Sequence, residues 1–419
     1  MKVGLQLILL GAGSSVPFGI PAMKKFVELF KKEIGNDPDL ASLLIDIESA
    51  LNGSDRLIGY DVVFDLESLM VVLQDVASKV DKPISAPTFA FILSLISKKD
   101  KQIGEYNIRS VRKRFGREAQ KLLKRLQVFI FKKCIEPINK GQKENDGFSF
   151  LDMFYGPLFI TIDKSIIYNN QSWVFTTNWD LCLKQWLEYA RIAFEDGTQL
   201  DAQRKSVLIP KGWSDAPNTK VVPLHGCFDL VNCSRFVSKK AYTEIQKLSN
   251  PEVYFNGNPS ELSKAFIVYP LEAVGYDQTI KSPYLDMLNL LKERLRGENQ
   301  IFVIGFSFRD SIIASIFDEV VREKSERGQE KELKILLLDR SPIEVIENLK
   351  RQSYVNIANA ITPIEVSFPN VLDYKSKRNE IKLDVVNMVT TLRGAMHSAQ
   401  IPFDQSYGDE LLQKYGIKI

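Results

Sequence analysis

Residues 5–21 read LQLILLGAGSSVPFGIP, and the fold is decided there. Leu5 to Leu10 form a short run, apolar at every position but Gln6, that ends in Gly11-Ala12-Gly13. Such a run suits a parallel strand buried on both faces, because a half-exposed strand would alternate apolar with polar. A helix is predicted from Pro21 onward. Proline suits a first helical turn, where its missing N–H costs nothing, and Phe26, Leu29, Phe30 and Ile34 recur on one helical face. Strand, glycine turn and helix make the opening unit of a doubly wound α/β domain. In that unit glycines let backbone N–H groups at a helix N-terminus approach a pyrophosphate, which the helix dipole favours. Tight strand-to-helix turns also use glycines for packing alone, so the motif by itself leaves both readings open.

The same pattern resumes far downstream, in SWVFTTN (172–178), KVVPLHG (220–226), AFIVYP (265–270), QIFVIGFS (300–307) and ELKILLLD (332–339). Helix-like segments such as WDLCLKQWLEYARIAF and SIIASIFDEVVREK lie between them. Short apolar strands alternating with helices predict a Rossmann-like, doubly wound parallel sheet. Residues 1–37 and 156–345 are therefore read as one α/β domain, and 38–155, helical throughout, as a large insertion. Residues 346–419, with a candidate strand ITPIEVSF and a helix EIKLDVVNMVTTLRGAM, are read as a C-terminal appendage.

Composition narrows the classes. The 419 residues, 45% hydrophobic and 26% charged, suffice for two or three packed units. A net charge of +3 is too mild for a chain that binds nucleic acid over its whole surface. Residues 98–140 are locally basic, with fourteen Lys or Arg against four Asp or Glu. That stretch is either a solvated helix face or a docking surface for nucleic acid or an acidic partner. Four cysteines without a Cys-x-x-Cys pair, and two histidines, give no zinc site and no disulfide framework, which fits a reducing cytoplasm. The N-terminus has a lysine and an apolar run as a secretory signal does, but Gln6 interrupts that run and only one basic residue precedes it, which favours the buried strand. No apolar stretch approaches the ~20 residues that span a bilayer.

In a doubly wound sheet, ligands lie outside the carboxyl ends of the strands. Here those ends carry Thr177-Asn178-Trp179-Asp180, His225-Gly226, Gly305-Phe306-Ser307 and Asp339. A lone strand-end histidine is more often structural, but four polar strand ends converging on one crevice point to a site.

These residues carry a resemblance. GAGSSVPFGIP resembles the sirtuin phosphate loop GAGxSxxxGIP, TTNWD its TQNID, LHG its catalytic His-Gly, GFS its GTS, and LLLDRSP its IINREP. The resemblance implies that NAD is the substrate and that Gly11, Ala12, Gly13, Ser14, Ser15, Gly19, Ile20 and Pro21 form its loop. Ala12, Gly13 and Ser14 would surround the phosphates, Gly305 and Ser307 would contact the dinucleotide, and Asp339 would face the adenosine ribose. Thr177 and Asp310 join this binding set, and Asn178 and Asp180 would line the nicotinamide pocket. Asn178 and His225 are the implied catalytic pair, His225 acting on the ribose hydroxyls. The chemistry is compatible. Nicotinamide is a good neutral leaving group, so positioning and a base suffice, and His and Asn supply them.

Two departures matter. A sirtuin deacetylase carries a zinc ribbon of two Cys-x-x-Cys pairs, absent here, and its Asp-Phe-Arg after GIP is replaced by Ala22-Met23-Lys24. FDLESLM near residue 64, TTNWD and IGFSFRD are similar to the sirtuin-like NAD hydrolases of prokaryotic anti-phage defence. That resemblance implies an NAD glycohydrolase acting by NAD depletion (abortive infection). It also implies a homo-oligomer controlled by a HerA-like ATPase or another defence-system sensor. The rivals are an NAD-dependent ADP-ribosyl or deacyl transferase and a non-catalytic NAD-binding scaffold subunit.

Overall fold

The computed structural model describes residues 6–52, 64–78, 85–97, 108–162, 172–209, 212–214, 219–237, 240–267, 282–329, 333–401 and 405–418. Twelve strands are seen among them. In chain order they are β1 (Gln6–Leu10), β2 (Trp173–Thr176), β3 (Phe194–Glu195), β4 (Thr198–Leu200), β5 (Ser206–Leu208) and β6 (Thr219–Pro223). They continue with β7 (Gly226–Val237), β8 (Lys240–Lys247), β9 (Ala265–Ile267), β10 (Gln300–Ile304), β11 (Lys334–Asp339) and β12 (Ile361–Glu365).

Seven strands form a parallel sheet in the order β12-β11-β10-β1-β2-β6-β3. Its five inner strands, β11, β10, β1, β2 and β6, are apolar on both faces because both faces are covered. Alternate residues of each strand enter different cores: Ile8, Leu10, Val174, Phe302, Ile304, Leu336 and Leu338 one, Leu7, Leu9, Trp173, Phe175, Ile301 and Val303 the other. The first core is closed by the helices between residues 23 and 162 and by Arg378–Ser398. The second is closed by Tyr284–Gly297, Ser311–Glu326, Pro342–Arg351 and Val355–Ala360. The helical region expected as an insertion thus shares one continuous core with a face of the sheet.

From β1 the chain continues to β2 on one side, and from β10 to β11 on the other, although β1 and β10 are paired neighbours. This is the topological switch point, where a doubly wound sheet opens a crevice at its carboxyl edge.

The structure departs from the sequence expectation in two places. AFIVYP was expected in the parallel sheet, but β9 pairs antiparallel with β7 in a second, five-stranded sheet, β4-β5-β8-β7-β9. A three-residue apolar strand carries no signal of its partner, and the β7–β8 hairpin that builds this sheet has none of the continuous apolar pattern of the parallel strands. ITPIEVSF, expected in the appendage of 346–419, supplies β12, which pairs in parallel with β11 at the sheet edge. Residues 268–270 of AFIVYP, and 98–107 of the basic stretch, lie outside the described residues.

The rest of the basic stretch lies on helix Ile108–Glu144. Lys113, Arg114 and Arg117 are exposed on it, whereas Arg112 is half-buried and donates from Nε to the Asp75 carbonyl at 2.9 Å. No helix among the described residues is long and apolar enough to cross a membrane.

Candidate functional site

The Gly11–Phe18 segment is not a wide loop. Ala12–Phe18 winds as a 3₁₀ helix, and the α-helix begins only at Met23. Three glycines let it press against the end of β10. Gly305 has φ +61°, and a Cβ there would lie 2.5 Å from the Ser14 nitrogen; a Cβ on Gly11 would lie 2.5 Å from the Gly305 oxygen. The Gly11 amide donates to Ile304 O (2.9 Å), the Gly13 amide to Gly305 O (2.9 Å) and the Ser14 amide to Gly11 O (2.9 Å). Of the residues expected to surround the phosphates, Gly13 and Ser14 therefore have their N–H groups taken by protein carbonyls. The glycines serve close packing. Ser307, at the tip of the next strand end, is exposed, and Ala12 and Gly13 are half-buried, so these remain open to a ligand. Gly19 ends the 3₁₀ helix in the left-handed region, Ile20 is buried in the core and Pro21 is half-buried.

The strand ends meet through side chains. Ser14 Oγ donates its hydrogen to Gly11 O (2.8 Å), and Ser15 Oγ donates its hydrogen to Asp180 Oδ2 (2.6 Å). Each hydroxyl has one hydrogen, so toward Asn178 both oxygens act as acceptors. The Asn178 amide nitrogen fills that role, donating to Ser14 at 3.0 Å and Ser15 at 2.9 Å. This fixes which way the amide points. Asn178 Oδ1 is then a buried acceptor with no partner among the described residues, which is costly unless a water or ligand hydrogen reaches it. A recess of about 10 Å³ lined by Asn178, Asp180, Thr176 and Cys227, among others, has room for about one water beside it. Thr177, buried, turns its amide back to Leu10 O at 3.0 Å.

His225 ends the run after β6. Gly226 follows it with φ +72°, and a Cβ there would lie 1.7 Å from Phe266 O, so only glycine lets the chain turn here into β7. His225 Nε2 lies 2.7 Å from Asp310 Oδ2. Asp310 caps helix Ser311–Glu326, its Oδ1 accepting from the amides of Ile312 (2.9 Å) and Ile313 (3.0 Å). Burial pushes its carboxyl pKa up, but the His225 hydrogen bond and charge and the two amides outweigh burial and hold it below its ordinary value. An ionised carboxylate only accepts, so His225 presents an N–H from Nε2 to Asp310, and in the neutral imidazole the lone pair is then on Nδ1. Asp310, expected to touch the dinucleotide, here engages the Ile312 and Ile313 amides through Oδ1 and the His225 ring through Oδ2. Asp339 ends β11 one strand further on, its Oδ1 accepting from the Ser341 amide at 2.9 Å.

Sequence reasoning missed a second carboxylate. Helix Leu66–Ala77 is capped by Asp65, and Asp65 Oδ2 pairs with Arg309, the neighbour of Asp310. Glu67, in the first turn of that helix and not fully buried, has its pKa pushed up to about 8, by burial first and then by the charges of Asp65 and Asp310, against Arg309. An acid inside the apolar run FDLESLM was the signal. No cysteine offers a thiolate: burial pushes Cys134, Cys182 and Cys227 well up, and Cys233 up.

Seen whole, polar groups from β1, β2, β6 and β10 interlock at the switch point of a parallel sheet. Residues 172–360 match the SIR2-like domain family. The SIR2-like match runs from β2 through helix Val355–Ala360 and includes Asn178, His225, Gly305, Asp310 and Asp339, but not the Gly11–Pro21 segment. SIR2-like domains use NAD, so the match supports a sirtuin-like family and an NAD-dependent enzyme. No curated protein matches the chain in sequence.

Proposed function

We propose that this chain is an NAD glycohydrolase, converting NAD and water into nicotinamide and ADP-ribose. The observation that carries the reading is Asn178 Oδ1, a buried acceptor held in place by two serines and left without a partner among the described residues. On the neighbouring strand end, His225 Nδ1 is a base oriented by Asp310. The bond between ribose C1′ and the pyridinium nitrogen breaks, and its electron pair goes to nicotinamide. Water adds to C1′, and its proton passes to His225 Nδ1 and on to solvent. Asn178 Oδ1 holds the water or a ribose hydroxyl, contributing mainly in the transition state.

NAD depletion in anti-phage defence, within a homo-oligomer regulated by a HerA-like ATPase or another sensor, is the biological setting that fits this chemistry. Its support is the sequence resemblance, together with the exposed basic residues of helix Ile108–Glu144.

Incubation with NAD alone, followed by chromatography, tests the reaction. Equal amounts of nicotinamide and ADP-ribose are expected without any acceptor. Product that forms only with an added acceptor would make the chain a transferase, and NAD bound without turnover, even with its partner, would make it a scaffold.

A further inference from the structure

Away from the strand ends, helix Ser149–Ile162 packs two ways. Phe150, Phe154 and Tyr155 meet Phe18, with ring centroids 6.3, 5.5 and 5.1 Å apart. Phe18 belongs to the segment that carries Ser14 and Ser15. Ser149, Asp152, Met153 and Ile160 recur at three-, four- and seven-residue spacing on another face, and they line a cleft of about 400 Å³. That volume is in the range of small-molecule sites.

The rest of the lining comes from the C-terminal region: Tyr374, Arg378, Lys414 and Tyr415. Buried Met153 and Ile160 give an apolar floor, while Arg378 and Lys414 are exposed and make a cationic rim. Tyr415 is fixed. Its ring lies over Gly156, where a Cβ would come within 2.4 Å of the phenol oxygen, and that oxygen donates to Asp152 Oδ1 at 3.2 Å. Trp186 Nε1 donates to the same Oδ1 at 2.8 Å, and no partner is recorded for Asp152 Oδ2 among the described residues. The Arg378 guanidinium stands 5.8 Å from the Tyr374 ring.

Two tyrosine rings suit a planar ring, two cations suit phosphates, and a carboxylate oxygen suits an exocyclic amine. Few small molecules combine the three. We propose that this cleft binds a nucleotide, its phosphates on Arg378 and Lys414 and its base among Tyr374, Tyr415 and Asp152. One helix then carries a nucleotide on one face and the Phe18 segment on another. The proposal is separate from NAD cleavage and would stand in a chain that turns over no NAD.

Photolabelling of the full chain with 8-azido-ATP, with the modified peptides mapped, tests it. Label is expected on the segments around Tyr374–Arg378 or Lys414–Tyr415, removed by excess ATP, and at least tenfold weaker in the Arg378→Glu/Lys414→Glu double variant. Both substitutions are on exposed side chains, and the wild-type map decides even if that variant misfolds. Label confined to the segments around Gly11–Ser15, no label at all, or full labelling of a folded double variant would overturn the proposal. So would competition by inorganic pyrophosphate as strong as that by ATP, since the rings would then have no role.

Discussion

The Gly11–Ser15 segment and the pair Asn178–His225 stand at neighbouring strand ends of one sheet, yet their hydrogen bonding is opposite. In the first, the amides of Gly11, Gly13 and Ser14 and the hydroxyls of both serines all have protein acceptors. In the second, Asn178 Oδ1 lacks a partner and His225 bonds through one nitrogen only, among the described residues. A saturated segment fixes positions; an unsaturated atom held by it is what substrate can use. The glycine motif is thus the frame, and the proposed reacting groups sit on the two strand ends beside it.

That contrast can be broken most severely at His225. His225→Ala should lower NAD turnover by about 10²–10⁴-fold, the usual contribution of a general base, with an unchanged circular dichroism spectrum. A folded variant retaining most activity would take His225 out of the mechanism. Asp310→Asn should cost less, on the order of 10²-fold in kcat with KM little changed, because a neutral amide no longer enforces the Nε2–H tautomer. Asparagine caps helices as well as aspartate does, so the melting temperature should move little. A large loss of stability with kcat per folded molecule unchanged would reduce Asp310 to a cap.

The frame should respond in stability. Gly305→Ala places a Cβ against the Ser14 nitrogen at positive φ and should cost about 2–4 kcal/mol. Gly257→Ala, where nothing lies within 4 Å of the added carbon, should change stability by less than about 1 kcal/mol. Denaturant unfolding of the two variants side by side checks this, and equal effects would contradict the close-packing account.

Glu67 gives an effect that depends on pH. Its pKa is raised from about 4.5 to about 8 on folding, so between those values the folded state holds a proton that the unfolded state has lost. Stability from this group is complete below pH 4.5 and declines as pH rises toward 8. Glu67→Gln should flatten that part of the melting-temperature profile between pH 5 and pH 8, and a profile parallel to that of the unsubstituted protein would contradict the shift.

Five strands of the parallel sheet, β1, β2, β6, β10 and β11, were legible because they are apolar runs, a pattern that needs two covered faces; β3 and β12, short or mixed in polarity at the sheet edges, were not legible as part of it. Asn178 and His225 were legible because they follow such runs directly. The antiparallel sheet was not, since three of its strands are three residues long and their pairing is set by tertiary contacts. The contact of Asp310 with His225 was hidden by their separation of 85 positions, although the Asp before SIIASIF marks a helix cap. Glu67 was hidden in a helix that sequence treats as scaffold. Arg112 read as one of a basic cluster with Lys113 and Arg114, and only the fold shows it tied to the Asp75 carbonyl. A charge reversal probing a docking surface should therefore use Lys113, Arg114 and Arg117.

Asn178 is where the central claim stands or falls. Nicotinamide release from enzyme saturated with NAD, measured in a single turnover on the unsubstituted protein and on Asn178→Ala, reads its role directly. The account predicts a rate about 10²-fold lower or more, with NAD affinity changed only a few-fold, because the amide oxygen acts chiefly in the transition state. An unchanged rate with a raised KM would contradict it, leaving Asn178 as a residue that only holds substrate.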